Sequence, residues 1–208
     1  MPLHITLGYK QIMDALVQAI IGCIVLIVLI IVWLIVITII FSTDDSNQNV
    51  NFWADYNDTS TSDNALILQS EQWTTLPNNG EGMFTNTSYL PESVGTLMDT
   101  STGAFDFSGL SLGDTVYIRN DYTVSPTLNG THLSVRYLLG QEDSQYTLEK
   151  AITTLSDGAR TYRISLGIDM IYMGDDNTRN NPVYLQVLVS EEATIRNNGS
   201  VIHVIHNK

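Results

Sequence analysis

The stretch TVYIRNDYTV, residues 115–124, indicates the fold class of this chain of 208 residues. Apolar and polar side chains alternate along it, which is typical of a β-strand with one buried face. The residues predicted to be buried are Val116, Ile118, Tyr122 and Val124. The residues predicted to point outward are Tyr117, Arg119, Asp121 and Thr123.

The same alternation recurs along the rest of the C-terminal part. Further long strands are predicted at HLSVRYLL (132–139), RISLGIDMIYM (163–173), VYLQVLV (183–189) and VIHVIH (201–206). Their predicted buried faces contain Leu133, Val135, Tyr137 and Leu139; Ile164, Leu166, Ile168, Met170 and Tyr172; and Val183, Leu185, Val187 and Val189. Shorter candidate strands lie at 65–68, 72–76, 104–107, 146–152 and 192–196.

Turn signals separate these strands at regular intervals. Gly and Asn, which tolerate a positive φ, occur in PNNGEG (77–82), SLGD (111–114), LNGT (128–131), SDGA (156–159) and RNNGS (196–200). Many short strands with this spacing predict an all-β fold, an antiparallel jelly-roll sandwich over residues 65–208. An immunoglobulin-like sandwich is the alternative, although the single cysteine excludes its Cys…Trp…Cys framework.

The N-terminal part has a different character. Residues 19–41, AIIGCIVLIVLIIVWLIVITIIF, contain no charge and are apolar on every helical face. At 1.5 Å per residue the helix would be roughly 34 Å long, enough for a hydrocarbon core of about 30 Å. We predict a transmembrane helix, anchored among others by Ala19, Ile20, Ile31, Trp33 and Phe41. A helix buried within a protein assembly is the alternative.

The flanks of this segment differ in composition. Residues 1–18 are predicted to form an amphipathic segment, with the helix beginning near Tyr9. Lys10 precedes the apolar run and no Lys or Arg follows until Arg119, which favours an inward N-terminus and an outward C-terminal domain. Residues 42–64 are dense in Asn, Asp, Ser and Thr and predict a polar stalk.

The charge of the chain is carried by its C-terminal part. Residues 1–41 contain one Lys and one Asp, whereas the remainder contains 8 basic and 21 acidic residues, and 8 − 21 gives the whole net charge of −13. Nucleic acid binding needs clustered Lys and Arg to contact phosphates. The sequence therefore predicts no nucleic acid partner.

Several stretches resemble the jelly-roll head domains of bacteriophage fibre, spike or decoration proteins, which have folds similar to tumour necrosis factor and complement C1q. They are FDFSGLSLGDTVYIRNDYTVSP, HLSVRYLLG, YTLEKA, IYMGDDNTRNNPVYLQVLVS and GSVIHVIHNK. The resemblance covers roughly residues 70–208, and its most specific parts are LSLGDTVYIRND and MGDDNTRNNP. It implies a homotrimer on a particle surface, in contact with other virion proteins. The apolar N-terminal helix departs from the capsid- or fibre-binding stem usual in such proteins.

Chemical sites are sparse in the sequence. Asp175, Asp176 and Asn177 are a candidate Ca²⁺ cluster, but they lack the regular ligand spacing, and a plain turn is the alternative. In a strand, His203 and His206 would fall on opposite faces and would not share a metal. Motifs for a nucleophile elbow, a phosphate loop or a zinc protease do not occur, so we predict no enzyme activity and no cofactor.

Two functions follow from the sequence. The first is a viral structural protein, a trimeric spike or decoration subunit on the virion surface. It would be anchored in a lipid bilayer, with Tyr117, Tyr137, Tyr162 and Tyr184 as candidate interface residues or, equally, ordinary core residues. Its head would serve host attachment, through a surface glycan or receptor, or shell stabilisation. The second is a cell-surface protein, either a pilin-like subunit or a membrane-anchored carbohydrate-binding module.

Overall fold

The structure, a computed structural model, describes residues 3–44, 51–165 and 167–207. Within the first range, side chains are described for residue 13 and for residues 16–38. The chain divides into two units, Met1–Gln48 and Asn49–Lys208. The first unit is helical and the second is built from β-strands.

The described part of the first unit is one helix, α1, over Leu3–Asp44. It begins earlier than the predicted start near Tyr9 and contains residues 3–18 of the predicted amphipathic segment together with the apolar run. Ile and Val favour strands in water, but an α-helix bonds every backbone amide and carbonyl within the segment, as lipid requires. The hydroxyl of Thr38 follows the same rule, because it donates to the Leu34 carbonyl at 2.8 Å.

Over residues 51–165 and 167–207, the described part of the second unit, the structure contains twelve strands. They are β1 Phe52–Tyr56, β2 Leu66–Leu68, β3 Thr74–Thr75, β4 Met98–Asp99, β5 Ala104–Phe105, β6 Thr115–Pro126, β7 Thr131–Leu139, β8 Tyr146–Leu155, β9 Tyr162–Ser165, β10 Asp169–Tyr172, β11 Tyr184–Val189 and β12 Ala193–Ile205. A 3₁₀ turn covers Glu142–Ser144 and a short helix, α2, covers Asp176–Asn180.

The strands form two antiparallel sheets and a small β4–β5 pair. The first sheet has the order β1-β12-β6-β10, with β2 also paired to β12 and β9 to β6, and the second has the order β3-β11-β7-β8. If β9 and β10 count as one interrupted strand, and the short strands β2, β4 and β5 are left out, eight main strands remain. Their orders in the two sheets are first-eighth-third-sixth and second-seventh-fourth-fifth. This is the connectivity of a jelly roll, and the predicted fold class is confirmed.

The core lies between the two sheets, where the predicted alternation is largely confirmed. Every second residue of β6, β7 and β11 is buried. The buried residues include Val116, Ile118, Tyr122 and Val124; Leu133, Val135, Tyr137 and Leu139; and Val183, Leu185, Val187 and Val189. These strands position the outward side chains with equal regularity, because neighbouring residues point to opposite faces.

The predicted stalk over residues 42–64 is wrong for its second half. Residues 52–56 form β1, which pairs with β12 in the register Phe52↔Val204 to Tyr56↔Ser200. Phe52, Ala54 and Tyr56 are buried, because they alternate with Trp53 and Asp55 on the outer face. The polar composition around this short strand conceals its period of two. Residues 45–50 of the predicted stalk lie outside the described residues.

The predicted strand over residues 163–173 is also corrected. It is divided into β9 and β10, and its predicted buried residues Ile168, Met170 and Tyr172 are 70%, 58% and 57% exposed. Ile171 and Met173 are buried instead. The alternation shifts by one residue between the two strands, around Gly167, and such a shift exchanges the faces. Leu166 lies outside the described residues.

The predicted turn at residues 196–200 is a β-bulge. β12 runs through this segment without ending, and its register with β6 shifts between Asn197 and Gly199. Gly199 has a φ of 134°, and a Cβ at this position would lie 2.5 Å from the carbonyl oxygen of Tyr56. Only glycine fits both requirements, so the bulge depends on this residue.

We expect Gly199→Ala to lower the free energy of unfolding by about 2 kcal/mol, because the methyl group meets backbone and the φ is unfavourable for alanine. Gly167→Ala is the matched control, since no atom lies within 4 Å of its Cβ position and its φ is not in the positive range. Chemical denaturation of the full chain in detergent, followed by tryptophan fluorescence, measures both. Equal stabilities of the two variants would contradict this account of the bulge.

A buried carboxylate organises the loop after β1. Asp58 accepts hydrogen bonds from the backbone and hydroxyl groups of Ser60 and Thr61, at 2.6 to 3.0 Å, and from the Asn79 amide at 3.1 Å. Burial alone would raise the pKa of the Asp58 carboxyl, but these donors outweigh it and lower the pKa below the ordinary 3.8. The carboxylate therefore stabilises the folded state in its ionised form.

The stabilisation by Asp58 is present above pH 3.8, the ordinary pKa, and is lost as the pH falls through the lowered folded-state pKa. We expect Asp58→Asn to be less stable than the wild type at neutral pH, and the difference to shrink in acid below that value. Urea denaturation at a series of pH values measures this. A difference that is independent of pH would show that the carboxylate charge is irrelevant.

Candidate interaction surface

The anchor candidate is a stretch of α1 without buried residues. Leu16–Thr38, 23 residues with a mean hydropathy of 3.6, is long and apolar enough to cross a membrane, and none of it is buried. Ala19, Ile20, Ile31 and Trp33 are all exposed. The side chain of Phe41 lies outside those described, although its backbone is helical. An apolar surface of this size needs lipid or protein around it, since water solvates it poorly.

The second candidate is the outer face of the β1-β12-β6-β10 sheet. Trp53 lies opposite His203, His203 opposite Tyr117, and Tyr117 opposite Met170, so one row of side chains crosses four strands. With strands about 4.8 Å apart, this row is about 14 Å long. Tyr89, from the loop beside β1, stacks on Trp53 with ring centroids 4.7 Å apart.

Apolar residues extend the row in both directions. We call this surface the aromatic face and define it by Trp53, Tyr89, Val201, His203, Tyr117, Ile168, Met170 and Tyr172. A groove of about 510 Å³ on it is lined by Tyr117, Arg119, Ile168, Val201 and His203. The groove has mainly apolar walls and one cationic side chain, which suits an apolar insert with an acidic neighbour.

Charged side chains lie towards one end of the aromatic face, at Asp55, Arg119 and Asp121. Asp55 lies opposite Val201, which lies opposite Arg119, and Arg119 forms an ion pair with Asp121 at 3.0 Å. Burial raises the pKa of the Asp55 carboxyl, Arg119 opposes this and Asp121 adds to it. Since Arg119 pairs with one of the two carboxylates, this face has little unpaired negative charge, although the chain has a net charge of −13.

The outer face of the second sheet is more polar. Arg136 lies 4.2 Å from the ring centroid of Trp73 and donates to Gln186 at 2.8 Å. Gln186 in turn donates to Thr75 at 3.1 Å, and Glu149 lies opposite Arg136 on β8. These polar groups contact one another, so this face has less need of a partner than the aromatic face.

The structure separates the four tyrosines that were candidates for an interface. Tyr117 lies on the aromatic face, whereas Tyr184 lies on the outer side of the second sheet. Tyr137 is buried in the core, so its interpretation as an interface residue is wrong. Tyr162 is half-buried against the core, and its hydroxyl accepts from the Asp157 amide at 2.8 Å. Their strands belong to different sheets or faces, which the sequence does not reveal.

Polar groups between the sheets meet around Tyr137. Its hydroxyl donates to Asp169 at 3.0 Å and accepts from the Asn120 side-chain amide, while Lys150 forms an ion pair with Asp169. Ser200 donates to Asn120 at 2.6 Å. Since Lys150 and Tyr137 belong to the second sheet and Asp169 to the first, the cluster links the two sheets at the open edge of the sandwich.

A neighbouring tyrosine lacks such partners. Tyr122 is completely buried, and its hydroxyl has no hydrogen bond to any residue that the structure describes. Burial raises the pKa values of both Tyr137 and Tyr122, and the charge of Asp169 raises them further. Both hydroxyls are therefore neutral, but only that of Tyr137 is satisfied.

We expect Tyr137→Phe to lower the free energy of unfolding by about 1 to 3 kcal/mol, because Asn120 and Asp169 lose a buried partner. Tyr122→Phe, the matched control, should be neutral or stabilising, since it removes an unpaired buried hydroxyl. Chemical denaturation of both variants gives the comparison. A larger loss for Tyr122→Phe would mean that its hydroxyl has a partner of its own.

The candidate Ca²⁺ residues serve the α2 turn. Asp175 caps the helix by accepting from the Thr178 amide at 2.7 Å, and this hydrogen bond lowers the pKa of its carboxyl. Asp176 pairs with Arg179 at 2.7 Å, and Asn177 bonds the backbone of Gln141 at 3.1 Å. Among the described residues, no group of three His, Cys, Asp or Glu side chains is placed to hold a metal ion.

Asp114 binds the residues that follow β12, His206 and Asn207. This buried carboxylate accepts from the Ser111 amide at 2.9 Å, from the Asn207 amide at 3.0 Å and from Nδ1 of His206 at 2.9 Å. His206 is thus a structural residue at the base of β6. His203 lies apart from it on the aromatic face.

Comparison with known proteins gives distant structural likenesses. No family model matches the chain, and no curated protein matches it. A chain of the T13 particle of infectious bursal disease virus has a TM-score of 0.40 and 11% identity, over 75% of this chain and 31% of that chain. A chain of T=1 particles derived from the same virus has a TM-score of 0.34 with the same identity and coverage.

Vertex protein P5 of PRD1 has a TM-score of 0.34 and 17% identity, over 76% of this chain and 98% of that chain. This chain spans about a third of the length of the infectious bursal disease virus chains that it matches. Values this low assign no function to the chain.

Proposed function

We propose that the chain is a membrane-anchored structural protein of a virus particle, which displays a homotrimeric jelly roll. The observation that carries the proposal is the combination of an apolar helical span without buried residues and a jelly roll whose aromatic face is uncovered. Viral capsid domains are among the proteins that use this architecture. The stretches that resemble phage head domains lie within this jelly roll.

Helix α1 serves as the anchor in this proposal. The 23-residue span Leu16–Thr38 matches the thickness of a hydrocarbon core, and its α-helical conformation pairs backbone amides and carbonyls within the segment. Lys10 lies before the span and the acidic unit after it, which supports a jelly roll on the outer side of the membrane. Mutual repulsion among chains with a net charge of −13 keeps particles apart in solution.

The aromatic face serves as the contact between copies. Aromatic residues and Met are favoured at interface cores, and acidic residues are depleted there. On this face the row from Trp53 to Met170 provides the first group, and Asp121 is compensated by Arg119. Three copies would give each particle site three equivalent outer surfaces, so a weak contact to a host molecule or to another virion protein would gain avidity.

We expect the full chain in detergent micelles to have three times the monomer mass by light scattering after gel filtration. Tyr117→Asp should shift it to the monomer, because it places a carboxylate in the apolar contact. Tyr184→Asp, the same change on the opposite sheet, is the matched control and should leave the trimer intact. A wild-type monomer would refute the trimer, and dissociation by Tyr184→Asp alone would assign the contact to the other sheet.

A membrane-anchored carbohydrate-binding module is the second candidate function. Half-exposed aromatic rings on one sheet face, such as Trp53 and Tyr117 with His203 between them, are also the kind of platform on which sugar rings stack. In this case the chain would be a monomer, and Tyr117→Asp would abolish binding to a glycan array without changing the mass. The mass measurement therefore separates the two candidates.

A further inference from the structure

The most exposed large apolar side chains of the jelly roll belong to a single turn. Met83 is 91% exposed and Phe84 is 73% exposed, next to each other in the loop between β3 and β4. A hydrogen bond of 3.0 Å from the Thr85 amide to the Gly82 carbonyl places them at the two central positions of a β-turn. We call this pair of side chains the knob.

The knob is held rigidly against the edge of β1. The amide of Gly82 donates to the Asn57 carbonyl at 2.9 Å, and the Asn57 amide donates to the Thr85 hydroxyl at 2.9 Å. Asp55 and Asn86 exchange two backbone hydrogen bonds of 2.9 and 2.8 Å. A Cβ at Gly82 would lie 2.4 Å from the Cβ of Asn57, so glycine permits this close approach. Little backbone entropy therefore remains to be lost when the knob binds.

We infer that the knob of one copy inserts into the groove on the aromatic face of a neighbouring copy. This inference rests on the proposed homotrimer, and it specifies which two surfaces of neighbouring copies are in contact. The groove, with Ile168, Val201 and Tyr117 in its walls, is concave and apolar, whereas the knob is convex and apolar. The two surfaces are therefore complementary in shape, and a single contact between them removes the apolar side chains of both from water.

Charge supports the same pairing. No Lys or Arg occurs between Lys10 and Arg119, so the only charged residues in the segments before and after the knob are acidic. One of them, Glu81, lies immediately beside the turn. Arg119 lies in the groove, and about half of its side chain is exposed. The acidic border of the knob would therefore meet the exposed half of the Arg119 side chain, which already pairs with Asp121, whereas two acidic borders would repel each other.

The positions of the two surfaces fit a ring. Rotation about an axis does not change the position of an atom along that axis. If the axis is parallel to the strands, two surfaces that meet around it must therefore lie at the same position along the strands. The knob is bound to β1 at Asp55, and Asp55 shares a transverse row with Val201 and Arg119 of the groove. Because knob and groove are different surfaces, the contact is heterologous, and three such contacts close a ring.

Cross-linking between two singly substituted chains tests the contact. Cys23, the single cysteine, is first replaced by Ser, and Met83→Cys and Ile168→Cys are then made in separately tagged full-length chains. The chains are mixed in detergent and treated with a short bismaleimide. We expect linked pairs that contain one chain of each kind, and no linked pairs from either chain alone. Leu128→Cys, an exposed apolar residue of another turn, replaces Met83→Cys as the control and should not link to Ile168→Cys.

The effect on assembly gives a second measurement. Phe84→Ser should raise the concentration at which the trimer half-dissociates by at least about tenfold, because a Phe side chain is buried wherever a knob meets a groove. Leu128→Ser should not change it. A wild-type trimer with no mixed cross-link and an unaffected Phe84→Ser variant would overturn the knob contact and leave the trimer standing. A wild-type monomer would overturn the trimer itself, and linked pairs of Met83→Cys chains alone would replace the ring by a two-fold contact.

Discussion

The jelly roll depends on the backbone pairing of β12, the last strand of the chain. Its 13 residues lie between β1, at the start of the second unit, and β6, and they also pair with β2. The first sheet therefore consists of segments that are far apart in sequence. Bringing them together costs loop entropy, and this cost arises before packing can offset it. This strand is secured by Asp114 just beyond its C-terminal end and by the Gly199 bulge within it.

This pairing also creates the aromatic face. Because side chains alternate along β12, Ile202 and Val204 point into the core and Val201 and His203 point outward. In the neighbouring strands β1 and β6, the residues opposite them point to the same sides. A strand whose outward residues are also apolar is typical of a sheet covered on both sides. In the second unit the inner side is covered by the β3-β11-β7-β8 sheet, and a neighbouring copy would cover the outer side under the proposed function.

The sandwich is linked across its open edge by polar groups as well as by apolar packing. Tyr137, Asp169 and Lys150 connect the two sheets, and their hydrogen bonds define how the edge strands β8 and β10 face each other. A satisfied network of this kind favours one arrangement of the sheets over similar ones, because any shift leaves a buried donor or acceptor unpaired. Tyr122, close by and without a partner among the described residues, contributes volume only.

Local patterns were sufficient for much of this structure. A helix without a polar face and the period of two in β6, β7 and β11 are properties of consecutive residues, and both predicted elements are present. The membrane span, the trimer and the similarity to tumour necrosis factor and C1q heads remain predictions. The tertiary structure decided what depends on distant neighbours: that Phe52 and Tyr56 belong to the core, that Ile168 and Met170 face outward, and that Trp53, His203 and Tyr117 form one row. The physical reason is register, since a shift of one residue exchanges the faces of a strand and only the paired strand determines which register is adopted.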